Sequence, residues 1–142
     1  MVLVMAFGCF DILHPGHIAY LEEAKKLGGE LIVVVARDHT IRKGKNREPV
    51  FYEKSRLHLV GSLKLVDKAI LGDKLDYFRL IRKLKPDVIA LGYDQKPAVQ
   101  LLQKKLSEFG LKTKVVRIKK SRQRHRFKSS LLIQKLRAQM GE

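Results

Sequence analysis

Short apolar runs alternate with amphipathic helical patterns along most of the chain. The apolar runs predict strands because they are short, rich in β-branched residues and bounded by turn-forming residues. They cover residues 2–7, 31–36, 66–71, 87–92 and 114–118. The run at 31–36 (LIVVVA) is continuously apolar, which is typical of a strand buried on both faces of a parallel sheet.

Helical patterns fill the intervals between these runs. In the first of them Ile18, Leu21 and Ala24 recur on one face, and the pair Gly28-Gly29 ends the helix. The predicted helices cover residues 15–27, 53–63, 75–84, 97–109 and 129–138, and residues 37–49 are predicted to form a basic loop. The alternation predicts one α/β domain over residues 1–142. Its core would be a single Rossmann-like, doubly wound parallel sheet of about five strands with flanking helices.

The first predicted strand ends abruptly in the run GCFDILHPGH, residues 8–17. The free backbone N–H groups and partial positive charge of a helix N-terminus attract phosphate. Pro15 suits the first helical turn because it has no N–H to leave unpaired, and Gly16 lets a phosphate approach the backbone closely. His14 and His17 are three residues apart and share one side of this turn, where both can donate to phosphate oxygens.

Other interpretations of this run are ordinary helix capping by either histidine, a metal site and a thiol nucleophile. Cys9, Asp11, His14 and His17 are residue types that ligate zinc. A short run without a second cysteine pair is a poor zinc framework, however, and Asp11 suits a role in capping or orienting the turn. Cys9 lies at a strand end, where a small residue packs well, which argues against its use as a nucleophile.

The ends of two further predicted strands are also polar. Arg37-Asp38 follows the second strand, and residues 92–95 (GYDQ) follow the fourth. Ligands of doubly wound sheets bind beyond the carboxyl ends of the strands, near the change in strand order. We therefore expect these ends to converge with residues 8–17 in one crevice. Taken singly, each has a plainer interpretation: Arg37-Asp38 as a surface ion pair, and Asp94 as a turn residue.

A net charge of +16, from 30 Lys and Arg against 14 Asp and Glu, is the unusual bulk property. Such an excess suits a polyanionic partner, and much of it lies in the predicted loop at 42–47 and the tail at 117–128. A basic nucleic-acid-binding protein is therefore one interpretation. Aromatic residues make up only 7% and Trp is absent, so side chains that stack on bases are few. A site for a nucleoside triphosphate and pyrophosphate explains the basic segments equally well.

The single cysteine, Cys9, excludes an internal disulfide and favours a reducing compartment. The apolar start of the chain lacks the basic flank and the cleavage site of a signal peptide, so we interpret it as the first strand. No apolar run approaches membrane-spanning length. We expect a cytoplasmic protein without a membrane partner.

The pattern G-x-F-D-x-x-H-x-G-H at residues 8–17 resembles the signature of the cytidylyltransferase-like family within the HIGH-motif superfamily of nucleotidyltransferases. Residues 36–38, 65–72 and 91–95 are most similar to the archaeal-type FAD synthases of that family. Residues 128–133 (KSSLLI) resemble the second family signature, a Ser/Thr-rich helix start that contacts the triphosphate. Two departures are Cys9, where the family usually has threonine, and a tail without the cysteines expected of archaeal FAD synthases.

The resemblance implies transfer of the AMP moiety of ATP to FMN by in-line displacement, with release of pyrophosphate. It implies that His14, His17, Lys128 and Ser130 are catalytic, with His17 nearest the α-phosphate. The implied ATP-binding residues are Cys9, Phe10, His14, Pro15, Gly16, His17, Asp94 and Ser129. Arg42, Lys43 or Lys45 could close over the site, and Arg56 could steady a phosphate.

Mg²⁺ or another divalent cation is expected to bridge the phosphate oxygens, because no dense carboxylate cage is visible. The resemblance also implies a homodimer, and we expect the cationic tail to order around ATP. A cytidylyltransferase acting on glycerol 3-phosphate or on another phosphorylated alcohol or sugar is the alternative enzyme. A nucleic-acid-binding protein is the alternative from another class.

Overall fold

The computed structural model describes residues 1–119 and 129–141. Within these ranges five parallel strands form one sheet in the order β3-β2-β1-β4-β5. The strands are β1 (Leu3–Gly8), β2 (Glu30–Val35), β3 (Lys68–Leu71), β4 (Val88–Leu91) and β5 (Lys114–Arg117). The chain runs from central β1 outward to β3 and then returns to β4, so the strand order changes direction between β1 and β4. The predicted doubly wound α/β sheet is confirmed.

Helices cover both faces of this sheet. They are α1 (Pro15–Lys26), α2 (Asp38–Lys45), α3 (Glu53–Gly61), α4 (Tyr77–Leu84), α5 (Val99–Glu108) and α6 (Ser129–Gln139). Alternate side chains of the strands divide the core into two layers. Val4 and Ala6 of β1 pack with Leu21 of α1 on one face, whereas Met5 packs with Ile81 of α4 and Leu102 of α5 on the other.

Helix α2 corrects the predicted basic loop at 37–49. Asp38 stands in its first turn and Arg42, Lys43 and Lys45 in its last, which is the charge order that the helix dipole favours. Ile41, in the middle of α2, is fully buried. The charges that suggested a loop therefore stabilise a short helix instead.

The glycine pair predicted to end α1 also lets the chain pass close to the start of β1. A Cβ atom on Gly28 would lie 2.5 Å from the carbonyl oxygen of Val2. The backbone N–H groups of Gly29 and Glu30 both donate to that same oxygen, at 3.1 and 3.2 Å. A side chain at position 28 would therefore displace β2 from its place beside β1.

Helix α6 has exposed apolar side chains at Leu131 and Leu136, which are 39% and 51% exposed, and Met140 just beyond its end is 73% exposed. Among the described helices, none is long and apolar enough to cross a membrane.

Candidate active site

A cavity of about 760 Å³ opens at the carboxyl edge of the sheet. It lies over the ends of β1 and β4, where the strand order changes, as expected for a ligand site in a doubly wound sheet. Its volume falls within the range of small-molecule sites, about 300–1,000 Å³. Strand-end residues that line it are Phe7, Gly8, Val34, Ala36, Gly72, Leu91 and Gly92.

Two side chains hold β1 and β4 apart at this edge. The Tyr20 hydroxyl donates to the carbonyl oxygen of Ala90 and accepts from Phe7 N at 3.3 Å. One step further, the Gln95 amide donates to Phe7 O at 2.7 Å, and its oxygen accepts from Gly92 N at 2.8 Å. These contacts replace backbone pairing, so the strands separate without leaving buried polar groups unsatisfied.

The motif histidines cap the N-terminus of α1. His14 is the N-cap, and its Nδ1 accepts from Gly16 N at 3.1 Å. His17 Nδ1 accepts from His14 N at 3.3 Å, which completes a reciprocal capping box. A neutral imidazole whose Nδ1 accepts must carry its hydrogen on Nε2. The capping arrangement therefore sets both rings, when neutral, in the tautomer that donates from Nε2.

The same two rings stack on each other and both line the cavity. Their centroids are 3.8 Å apart and their planes differ by 22°. Burial lowers the pKa of His14 below its ordinary 6.5, because the charged form loses its hydration. The neutral form of His14, which is an uncharged donor, is therefore favoured near pH 7.

Phe10 supports His17 from the side, with their ring centroids 5.2 Å apart. Its backbone adopts the left-handed conformation (φ 51°), which a bulky residue rarely does, and its side chain is 2% exposed. A Cβ atom on Gly8 would lie 2.7 Å from the Phe10 ring. The glycine and phenylalanine of the motif are therefore required together, since one leaves the space that the other fills.

Asp11 anchors the segment between α2 and α3 to the motif. The carboxylate is 1% exposed and accepts from Arg47 Nη1 at 2.6 Å, from Val50 N at 2.9 Å and from Phe51 N at 2.9 Å. Burial alone would raise the pKa of Asp11, but these hydrogen bonds outweigh it and hold that pKa below the ordinary 3.8. Asp11 therefore positions a loop, and a role as phosphate or metal ligand would break these bonds.

Arg56 is fully buried and ties together the ends of β1 and β2. Its guanidinium donates to Cys9 O at 2.8 Å, to Ala36 O at 2.6 Å and to Asp38 Oδ1 at 2.8 Å. A further bond runs from Nε to Phe51 O at 2.8 Å. The expectation that Arg56 steadies a substrate phosphate is corrected, since its guanidinium faces carbonyl oxygens and a carboxylate inside the protein.

A second arginine at the end of β2 borders the cavity. Arg37 donates to Gly72 O at 2.8 Å and to Glu53 at 3.1 Å, while Glu53 also accepts from Asp38 N at 2.9 Å. The Asp38 N–H and then the Arg37 guanidinium hold the pKa of Glu53 below its ordinary range. Arg37 therefore brings a positive charge to the cavity in a fixed orientation.

Asp94 lines the cavity from the loop after β4 and is exposed to solvent. Arg117, at the end of β5, holds this loop through hydrogen bonds to Gly92 O at 2.8 Å, to Gln95 O and to Pro97 O at 3.3 Å. The first residue of the predicted basic tail is thus part of the scaffold.

The segment after β3 also lines the cavity, and the sequence reasoning did not include it. Its lining residues are Gly72, Asp73, Lys74, Leu75, Asp76, Tyr77 and Leu80. The signal was available, because β3 is also a parallel strand whose carboxyl end reaches the same edge. Burial raises the pKa of Tyr77 to about 12, so its phenol stays protonated at neutral pH.

The structure brings most of the predicted site residues to one cavity, whose lining includes Cys9, Phe10, His14, Gly16, His17, Asp94 and Lys45. Pro15 is the first residue of α1, as expected, and is exposed. Exposed Arg42 pairs with Glu48, and Lys43 is exposed. Ser129 and Ser130 begin α6, and Lys128 lies outside the described residues.

Over residues 1–119 and 129–141, no three His, Cys, Asp or Glu side chains are grouped as the ligands of a metal ion would be. In particular, the Asp11 carboxylate accepts a hydrogen bond from Arg47, and the Nδ1 atoms of both histidines accept hydrogen bonds at the start of α1. This part of the chain offers no cage in which a cation would be held by protein groups alone.

Comparisons with known proteins place the site in a family context. A family model described as cytidylyltransferase-like matches residues 5–135. A protein of Archaeoglobus profundus named FAD synthase is 56% identical over 119 residues, which cover 84% of this chain and 76% of that protein. A Thermoplasma volcanium protein of the same name is 54% identical over 120 residues, 84% of each chain.

A solved structure from Thermoplasma volcanium, described as a lipopolysaccharide core biosynthesis protein, has the same fold. It superimposes with a TM-score of 0.82 at 54% identity and covers 85% of this chain and 98% of its own.

Proposed function

Because the chain belongs to the cytidylyltransferase-like family of nucleotidyltransferases, we propose that it is an FAD synthase that joins the AMP moiety of ATP to FMN. The observation that carries the proposal is the stacked, reciprocally capping pair of His14 and His17 in the lining of the cavity. The names of the similar proteins supply the acceptor, FMN.

The proposed reaction is a direct displacement at phosphorus. An oxygen of the FMN phosphate attacks the α-phosphorus of ATP, the bond to the bridging oxygen breaks, and pyrophosphate leaves in line. Such chemistry depends on positioning and charge stabilisation rather than on a covalent nucleophile. The Nε2–H groups of His14 and His17 would donate to the triphosphate, with His17 nearest the α-phosphate, and the α1 N-terminus would add its dipole.

The leaving group would be held from the C-terminal side of the chain. Lys128, Ser129 and Ser130 are proposed to bind the β- and γ-phosphates, since a helix start offers backbone N–H groups and hydroxyls. Lys45 and Arg37, which border the cavity, would neutralise further phosphate charge.

A divalent cation such as Mg²⁺ is proposed to enter with ATP. In the described part of the chain no ligand cluster exists for it, so phosphate oxygens and water would supply most of its coordination. When bound, it would neutralise charge on the triphosphate.

A pyrophosphate-release assay tests the proposed function. ATP and CTP are each combined with FMN, glycerol 3-phosphate and sugar phosphates in the presence of Mg²⁺. We expect release with ATP and FMN, together with FAD detected by chromatography. Release only with CTP and another phosphorylated compound would favour the alternative cytidylyltransferase. No release with any pair, together with tight binding to nucleic acid at physiological salt, would overturn the enzyme class.

We also propose a cytoplasmic homodimer. Exposed apolar side chains at Val50, Phe51 and Tyr52, 51%, 43% and 65% exposed, offer a surface that a second copy could cover. Light scattering should give the dimer mass at micromolar concentration, and Phe51→Lys should lower it. A monomer mass for the unaltered protein across that range would contradict the proposal.

A further inference from the structure

The cavity has two chemically different sides. On the β4 side the lining comprises Gly92 to Lys96, where Tyr93 stands among the polar side chains of Asp94, Gln95 and Lys96. On the other side, after β3, the apolar or aromatic side chains of Leu75, Tyr77 and Leu80 stand among the charged side chains of Asp73, Lys74 and Asp76. Phe7, at the end of β1, lies between the two sides. A reaction that joins two unlike substrates needs two unlike subsites.

The aromatic side is held rigidly from within the protein. The Tyr77 ring packs against Phe7, with centroids 5.2 Å apart and planes at 33°, and meets Phe78 edge-on at 5.1 Å. The Phe78 ring in turn lies 5.5 Å, between centroids, from the ring of Phe109, which caps the C-terminus of α5. This chain of rings fixes the orientation of Tyr77, so a flat ligand would meet a preformed surface and would lose little affinity to ordering it.

Leu75 stands at the rim of this side and is 92% exposed. Its turn is fixed because Asp73 accepts from the N–H groups of Leu75 at 2.9 Å and Asp76 at 3.0 Å. A leucine held in solvent beside an aromatic wall gains favourable burial only when something apolar covers it.

We propose that the surface formed by Phe7, Leu75, Tyr77 and Leu80 binds the isoalloxazine ring of FMN and selects the flavin as acceptor. This inference rests on the proposed function. A tricyclic ring with a dimethylbenzene edge suits an aromatic and aliphatic surface. The smaller adenine ring, with its polar edge, suits the hydrogen-bonding groups of the β4 side. Phe7 immediately precedes Gly8, so this surface adjoins the motif within one cavity.

Direct FMN binding without ATP tests the proposal, because stacking on tyrosine quenches flavin fluorescence. Tyr77→Ala should raise the Kd for FMN about tenfold, within the range expected for loss of an aromatic stack. Tyr77→Phe should bind FMN nearly as the unaltered protein does. The Kd for a non-hydrolysable ATP analogue should change less than about twofold in all variants. Leu101→Ala is the control, because Leu101 is 66% exposed and lies outside the cavity lining.

Leu75→Ser provides a second variant whose folding is not at risk, since the side chain is almost fully exposed. It should weaken FMN binding several-fold and leave the melting temperature unchanged. FMN binding unchanged in both Tyr77→Ala and Leu75→Ser would overturn the proposal, as would an equal loss of ATP-analogue and FMN affinity in folded variants.

The proposed function and the flavin surface fail in different ways. FAD formation by the unaltered protein, with normal FMN binding in both variants, would refute the flavin surface alone. Specific FMN binding that both variants weaken, without FAD formation from ATP, would support the flavin surface and refute the FAD synthase activity.

Discussion

Each motif histidine has two tasks, one for each ring nitrogen. Nδ1 of His14 and Nδ1 of His17 accept backbone hydrogen bonds that shape the first turn of α1. The opposite nitrogen, Nε2, is thereby committed as the donor. A histidine thus shapes the first turn with one nitrogen and keeps a donor on the other, whereas an aspartate in its place would cap without offering a donor.

Substitution of His17 separates these two tasks. His17→Ala should lower kcat about 10²- to 10³-fold, as expected on removing one preorganised donor, and should cost about 1 kcal/mol of stability from the lost cap. His17→Gln retains the capping-box bond, because glutamine at this position reaches the N-cap N–H. It should therefore keep the stability and still lose the rate, in steady-state assays and urea unfolding. An unchanged kcat in His17→Ala would remove His17 from the mechanism.

The buried ring of His14 gives stability a pH dependence of defined sign. Its folded-state pKa lies below 6.5, so on acidification the unfolded state takes up a proton that the folded state excludes. The free energy of unfolding should therefore fall as the pH drops below 6.5 and level off below the lowered folded pKa. His14→Asn keeps an N-cap acceptor and should remove this part of the loss, measured by urea unfolding at a series of pH values.

Asp11 also makes the stability depend on pH, but at lower pH than His14. The effect of His14 on the urea unfolding can therefore be distinguished from that of Asp11. Its pKa is held below 3.8, so its contribution is present above 3.8 and is lost as the pH falls through the folded value. An identical pH profile for His14→Asn and the unaltered protein between neutrality and pH 4 would contradict the assignment to His14.

At the scale of elements, the alternating pattern predicted the strands, most helices and the edge of the sheet where the site lies. A continuous apolar run and a glycine that ends a helix are local signals. The strand at residues 31–36 and the end of α1 at Gly28 could therefore be predicted from the sequence. Helix α2 was missed because the charges that favour its ends also favour a loop. The role of Arg56 was not readable, since its partners at Cys9 and Ala36 are distant in sequence and meet it only in the fold.

The hydrogen bonds of Arg56 to Cys9 O and Ala36 O predict that its guanidinium stabilises the joined ends of β1 and β2. Arg56→Lys should lower the free energy of unfolding by about 3–5 kcal/mol, because one ammonium cannot reach the acceptors that a planar guanidinium bridges. Arg42→Lys is the matched control and should change stability little, since Arg42 and its partner Glu48 are exposed. Urea unfolding measures the stability of both variants, and steady-state assays give their KM values for both substrates. Unaltered stability of Arg56→Lys with a raised KM would contradict this prediction and indicate that Arg56 binds a substrate.

On the scale of the whole molecule, the basic residues that give the net charge of +16 fall into two groups. Arg37, Arg47, Arg56 and Arg117 are partly or fully buried and tie strand ends and loops around the cavity. Their guanidinium groups bond to protein oxygens, and Arg37 also borders the cavity, so these four do not form a surface for nucleic acid. The remaining excess lies in large part toward the C-terminus, where residues 117–128 contain no carboxylate.

This C-terminal charge leads to a prediction that involves both ends of the chain. If Lys128, Ser129 and Ser130 bind the triphosphate, Mg-ATP should slow hydrogen exchange at the start of α6 together with that at the start of α1, near Gly16. AMP, which lacks the β- and γ-phosphates, is the control and should protect α1 more than α6. Mass spectrometry of peptides covering both segments gives the comparison. Protection at α1 with none at α6 would leave the second motif without a catalytic role, and binding of the C-terminal segment to nucleic acid would then become the better explanation of its charge.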